Sequence, residues 1–308
     1  MPVTIRPLHP VFAGEVSGVD GTRPLSPDEV AAVEAGMDKY AVLVFRDQHL
    51  TDAQQLAFTR HFGEIESYAT PGNVRKPAEH RLDTPGIIDF SNLDKTGGIL
   101  SAEDRIWFFK LADRLWHSDS SFRPVPAKYS LLSGRVIPSW GGNTEFADMR
   151  AAYDTLDTRT KAEIEPLVCL HSLVYSREAI GFTELSPDEI AAFRPIRQRL
   201  VRTHPVTGRK SLFLASHAGA IEGWTIPEAR VFLRDLTEHA TQREFVYSHE
   251  WRIGDLVMWD NRQTMHRARR FDDRNEVRDV RRTTLAGDVV TIEQNLDMAG
   301  QGAHAPAV

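Results

Sequence analysis

The sequence predicts an α+β chain with a mainly β core, a sandwich or barrel, and helices packed outside it. Many short strand-like stretches alternate with Gly-, Pro- and Asn-rich turns, the pattern of such cores. Helix-start signatures stand near the N-terminus, and a further helical stretch lies near residue 230. The chain has 308 residues, 41% apolar and 26% charged. That composition suits a globular chain able to bury a core without metal or disulfide staples.

The first helix starts at Ser26. Its hydroxyl can cap the helix, Pro27 suits the first turn, and Glu29 completes a capping box. An apolar run at residues 41–46 (AVLVFR) predicts a strand. Thr51, with Gln54 three residues on, opens a second helix that stops before Gly63. A third helix is expected over residues 225–240. Further strands are expected at 87–90, 128–136, 167–175, 211–214, 244–248, 256–259 and 280–285. No repeat or low-complexity linker divides the chain, so residues 1–297 read as one catalytic domain. The Ala/Gly-rich stretch 298–308 reads as a disordered tail.

The net charge of −6 implies no broad basic face, so no nucleic-acid partner is expected. Cys169 is the one cysteine, which excludes an intrachain disulfide and fits a reducing cytoplasm. The opening MPVTIRPLHP has no apolar stretch of signal-peptide length, and no apolar run reaches membrane-helix length. A cytoplasmic protein without a membrane partner is therefore expected.

The chemistry starts at LWHSDSSF (115–122). On a strand, residues two apart point to one side, so His117 and Asp119 can offer an imidazole and a carboxylate to one point. They would form two-thirds of a 2-His-1-carboxylate facial triad, which leaves metal positions open. A His-x-Asp pair alone is weak, since about one is expected by chance in such a chain. The bare motif equally describes a surface His beside an Asp. A third ligand is available in GDLVMWDNRQTMHRA (254–268), where an apolar strand runs into a polar turn and then His266. A histidine bonded to a backbone carbonyl is the plainer alternative there. Arg278 and Arg282 follow, four apart, hence on one side of a strand. Arginine forks match carboxylates, so two such residues suit two carboxylate-bearing reactants. A solvated basic strand, with Arg274 and Arg281 nearby, is the alternative. Thr144 in GGNTEF can add a hydroxyl, or can be an ordinary strand residue.

The segments LWHSDSSF, GGNTEFADMRAAYD (141–154), THPVTGRKSLF (203–213), GDLVMWDNRQTMHRA and RDVRRTT (278–284) stand in order along the chain. In these it resembles the taurine/2,4-dichlorophenoxyacetate family of iron(II)/2-oxoglutarate dioxygenases, and the aryloxyalkanoate branch more than the taurine branch. The resemblance implies a double-stranded β-helix, a jelly-roll relative of the cupins. It implies iron(II) held by His117, Asp119 and His266. It implies that Arg278 and Thr144 bind 2-oxoglutarate, with O₂ as the other co-substrate and ascorbate as an aid. Arg282 and the backbone N–H of Ser120 match the groups that bind the organic anion. Taurine enzymes carry a His and a Tyr after a Phe-Gly pair. Here Tyr68 and Pro71 follow Phe62-Gly63 in those places.

The resemblance implies hydroxylation of the carbon next to the carboxylate of an aryloxyalkanoate such as 2,4-dichlorophenoxyacetate. The products would be a phenol, a 2-oxo acid such as glyoxylate, succinate and CO₂. Taurine, another alkylsulfonate or another small carboxylate is the alternative within the class. A zinc hydrolase and a non-enzymatic jelly-roll binding module are the alternatives outside it. Tyr68, Phe108, Phe109 and Phe122 are candidate pocket aromatics, with core packing as the plainer reading. A small anionic substrate and a homo-oligomer are the expected partners.

Overall fold

Both N-terminal capping boxes form where the sequence places them. Ser26 Oγ accepts the Glu29 N–H at 3.2 Å, and Glu29 accepts the Ser26 N–H at 2.8 Å. Thr51 and Gln54 repeat the exchange at 3.2 and 2.8 Å. Each satisfies donors that a helix start otherwise leaves unpaired. The computed structural model describes residues 2–66 and 80–294. Tyr68, Pro71 and the tail 298–308 lie outside the described residues.

The strands are β1 (Thr4–Pro7), β2 (Gly14–Ser17), β3 (Val42–Phe45), β4 (Ile88–Asp89), β5 (Tyr129–Val136), β6 (Thr144–Asp148), β7 (Val168–His171), β8 (Ile196–Arg199), β9 (Val201–Thr203), β10 (Lys210–Leu212), β11 (Ala218–Ile221), β12 (Val246–His249), β13 (Leu256–Asp260), β14 (Thr264–Ala268) and β15 (Asp279–Thr284). The helices are α1 (Pro27–Tyr40), α2 (Asp52–Arg60), α3 (Arg105–Lys110), α4 (Met149–Thr155), α5 (Thr158–Ile164), α6 (Leu173–Ala179), α7 (Pro187–Ala192) and α8 (Ile226–Ala240). Seven strands form one sheet in the order β1-β2-β3-β13-β5-β15-β4, and β12-β6-β14 form a smaller one. Apart from the parallel pair β2 and β3, these neighbours run antiparallel.

Side-chain alternation explains the layers. In the large sheet Leu43, Phe45, Leu131 and Met258 pack with Val33 and Met37 of α1 and Phe58 of α2. The other parity, Val42, Val44, Leu132, Val257, Trp259 and Val280, packs against Phe146 of the small sheet. The small sheet's outer parity, Ala147 and Met265, packs with α4 and α8. The central strands are thus buried on both faces, which is why 41–46 reads as a continuous apolar run rather than an alternating one. Cys169 of β7 sits in this outer cluster with no exposure, and burial pushes its thiol up to about 12.

Three expectations need correction. Residues 244–248 are not all strand, because the Phe245 N–H turns back to the Gln242 carbonyl at 3.0 Å, closing a 3-10 turn over Arg243–Phe245, and β12 starts only at Val246. Residues 167–175 are not one strand. Only Val168–His171 is extended, because Ser172 Oγ accepts the Val174 N–H at 3.1 Å and starts α6. His117 and Asp119 do not lie on a strand either. His117 makes an isolated bridge to His266, and Ser120 turns back with φ of 54°. Helices α3, α4, α5, α6 and α7, strands β1, β2, β8, β9 and β11, and strand β6 around Thr144 were not predicted. Among the described residues no helix is long and apolar enough to cross a membrane.

One buried ion pair fastens α4 to α1. Arg150, 1% exposed, meets Asp148 at 2.9 and 2.8 Å. It also donates to the carbonyls of Asp38 and Lys39 at 3.2 Å and to Gln263 at 3.0 Å. Removing one partner leaves a buried carboxylate uncompensated. Arg150→Met is therefore expected to lower unfolding free energy by about 3–5 kcal/mol. Urea denaturation at an unchanged m-value checks this.

Candidate active site

The site lies between the two sheets. His266 sits on β14 opposite Phe146 of β6, on the parity that faces the large sheet. His117 is fixed to it by two backbone bonds. Its N–H donates to the His266 carbonyl at 3.0 Å, and the His266 N–H returns a bond of 2.8 Å. The two ring centroids are 4.2 Å apart. His117 Nδ1 lies 2.8 Å from the Leu115 carbonyl. A carbonyl only accepts, so Nδ1 carries the proton and the Nε2 lone pair is free.

Asp119 follows in the turn. Its Oδ2 accepts from Ser130 Oγ at 2.7 Å, and its Oδ1 accepts from Arg282 Nη1. Asn261, in the β13–β14 turn, organises this corner. Its Oδ1 accepts the Asp119 N–H at 3.1 Å and the Trp259 indole N–H at 3.0 Å. Its Nδ2 donates to Ser130 Oγ at 2.9 Å. The amide is thereby oriented, and the Ser130 proton is committed to the carboxylate. Donor atoms of His117, Asp119 and His266 lie within 4.8 Å of one another, all three residues buried. Two imidazoles and one carboxylate at that separation fit a divalent transition metal.

The electrostatics suit such an ion. Burial, then the neighbouring His117, holds His266 well below the usual imidazole range, against the pull of Asp119. Its ring is neutral, the form that ligates. Burial works to raise Asp119, but the Arg282 guanidinium, helped by the Ser130 hydrogen bond, outweighs it and the carboxyl is held at about 2.

Two cavities meet here. The smaller, about 110 Å³, is lined by His117, His266, Thr144, Trp259, Arg278 and Arg282. The larger, about 470 Å³, is lined by His117, Asp119, Ser120, Phe122, Arg282 and others. Arg278 is buried in the first. Its Nε has no partner, and burial lowers its guanidinium to about 10, with Asp113 acting against the shift. Thr144 Oγ1 accepts the Trp251 indole N–H at 3.0 Å, which leaves its own proton to give.

The sequence-selected residues therefore converge. Arg278, Val280 and Arg282 share one parity, with Val280 in the core between the sheets. Arg281 has the other parity and pairs with Asp52 at 2.6 Å, away from both cavities. The Ser120 side chain turns to Glu66 at 2.9 Å. Phe109 and Phe122 line the larger cavity, whereas Phe108 packs edge-on against Phe182. Sequence reasoning missed Ser130 and Asn261, which hold Asp119 in place, and Trp251, which holds the Thr144 hydroxyl. It also missed His217, buried 2.9 Å from Ser121 Oγ with its ring 5.9 Å from that of His117.

The family model described as "Taurine catabolism dioxygenase TauD, TfdA family" matches residues 4–284. The chain belongs to this family. It is 44% identical over 290 residues to the alpha-ketoglutarate-dependent 2,4-dichlorophenoxyacetate dioxygenase of Cupriavidus pinatubonensis, covering 94% of this chain and all of that one. It is 38% identical to the (S)-phenoxypropionate/alpha-ketoglutarate-dioxygenase of Sphingobium herbicidovorans, covering 92% and 95%. Among solved structures, AAD-2 in complex with Mn(II) and N-oxalylglycine superposes with a TM-score of 0.92 at 58% identity, covering 94% of this chain and all of AAD-2. The chain is a 2-oxoglutarate-dependent dioxygenase that works with a metal.

Ser130 gives this site a direct test. Ser130→Ala removes the bond that fixes Asp119 Oδ2 and leaves Asn261 Nδ2 without its acceptor. Calorimetric titration with Mn(II) is expected to show a Kd raised about tenfold or more, with the melting temperature lowered by a few degrees for the stranded Asn261 donor.

Proposed function

We propose that this protein is an iron(II)- and 2-oxoglutarate-dependent dioxygenase that hydroxylates the carbon next to the carboxylate of an aryloxyalkanoate such as 2,4-dichlorophenoxyacetate. The observation that carries the reading is the junction of two cavities at one His/Asp/His cluster, with a buried guanidinium in the smaller and a second, Arg282, shared by both. That arrangement suits two carboxylate-bearing reactants meeting at one metal. The similarity to proteins named for 2,4-dichlorophenoxyacetate and phenoxypropionate supports the substrate class. A zinc hydrolase would leave Arg278 and Thr144 without a task.

His117, Asp119 and His266 would hold the iron. When bound with 2-oxoglutarate and O₂, it supplies the oxidising power that turns a C–H bond into C–OH. Arg278 and the Thr144 hydroxyl would receive the distal carboxylate of 2-oxoglutarate in the smaller cavity. Arg282 and the backbone N–H of Ser120 would face the organic anion in the larger one. The chain's contribution is to hold the target carbon beside the metal and to keep bulk water out. A hydroxyl placed on an ether carbon gives a hemiacetal. It breaks to a phenol and glyoxylate from an aryloxyacetate, while 2-oxoglutarate leaves as succinate and CO₂. The facing sheets also support the double-stranded β-helix arrangement as the finer description of the fold.

The decisive assay combines protein, Fe(II), ascorbate, 2-oxoglutarate and 2,4-dichlorophenoxyacetate under air. Succinate and a phenol are expected in equal amounts, and a chelator is expected to abolish both. Absence of succinate with every aryloxyalkanoate tried would overturn the reading. In the same assay Arg278→Ala is expected to raise KM for 2-oxoglutarate about tenfold or more, with little change in KM for the aryloxy acid. An effect on the aryloxy acid alone would reverse the assignment of the two arginines.

A further inference from the structure

The larger cavity holds a second cation with the same signature as Arg278. Arg177, on α6, is 5% exposed and lines that cavity. Its Nη1 donates to Ser176 Oγ at 2.8 Å, its Nε has no partner, and its guanidinium carbon stands over the Phe109 ring, 3.7 Å from the centre. No carboxylate among the described residues is within ion-pair distance of it. Burial lowers it to about 10, and Asp113 is the one acid that acts the other way. It stays charged at neutral pH. The other cations of this wall are committed. Arg81 pairs with Asp89 and Asp279, Arg123 with Glu66, Arg282 with Asp119, and Lys110 donates to the Ser91 carbonyl. Arg202 is as deeply buried and also lacks partners, but it stacks on Phe213 and lines neither cavity.

A buried guanidinium without an anion costs several kcal/mol, and enclosed positions of this kind retain one where a ligand completes the pair. Arg177 also sits near the metal cluster. Its charge helps depress His217, after burial and His117, and the His217 ring is 5.9 Å from that of His117. We infer that Arg177 binds the carboxylate of the organic substrate in the larger cavity, while Phe109 holds the guanidinium plane so that its edge N–H groups face the anion. This deepens the function proposed above and rests on it. Arg282, already bonded to Asp119, would then share the anion rather than hold it alone.

The test compares 2,4-dichlorophenoxyacetate with its neutral amide, titrated calorimetrically into protein loaded with Mn(II) and 2-oxoglutarate, with Arg177→Leu and Arg177→Lys alongside. Arg177→Leu is expected to weaken the acid about 10- to 100-fold and to leave the amide within about twofold. Arg177→Lys keeps the charge but loses the fork, so it is expected to weaken the acid less, again sparing the amide. If acid and amide weaken together, Arg177 is structural and the inference falls. It also falls if the acid binds Arg177→Leu as it binds the unaltered protein. In both cases the proposed reaction stands. If Arg177→Leu fails to fold, Arg177→Lys decides, and an unchanged acid-to-amide ratio overturns the inference. Failure of the unaltered protein to bind any aryloxyalkanoate overturns this inference and the proposed substrate class together.

Discussion

Two backbone hydrogen bonds between His117 and His266 are the constraint on which the site depends. The residues are distant in sequence, one in a loop and one on β14, yet each N–H meets the other's carbonyl. That reciprocal pair sets the imidazoles 4.2 Å apart before any ion arrives. Asp119 then needs only the turn that follows and the grip of Ser130 and Asn261. Backbone and side-chain bonds thus order all three donors, so little conformational entropy would be lost in holding an ion there.

Both layers serve this geometry. The large sheet is buried on both faces, so the parity that holds Trp259 and Val280 cannot slip without exposing the opposite parity, which packs on α1 and α2. Register on β15 decides which arginines enter the cavities. Arg278 and Arg282 do, and Arg281 points to Asp52. A slip by one residue would put Arg281 in the place of Arg282 and Val277 in the place of Arg278.

What the sequence made legible was local or periodic. The capping boxes at Ser26 and Thr51 act within three residues. The spacing of Arg278 and Arg282 encodes parity directly, and the structure keeps it. His117 and Asp119 do come together with His266, although the strand expected beneath them is a bridge and a turn. Ser172 defeated the pattern at 167–175, because one capping hydroxyl outweighs an apolar run. Ser130, Asn261 and Arg177 carried no signal. Their value arises from contacts that only the folded chain creates, such as the Asn261–Ser130 bond that ties the β13–β14 turn to β5.

Cys169 has a consequence beyond packing. Oxidants attack the thiolate, and a thiol pushed up to about 12 in a closed apolar cluster offers almost none at neutral pH. A dioxygenase, whose chemistry draws in O₂ beside a metal, thus keeps its one sulfhydryl out of reach. Oxidative inactivation must then begin at other side chains, and thiol reductants have nothing in this fold to repair.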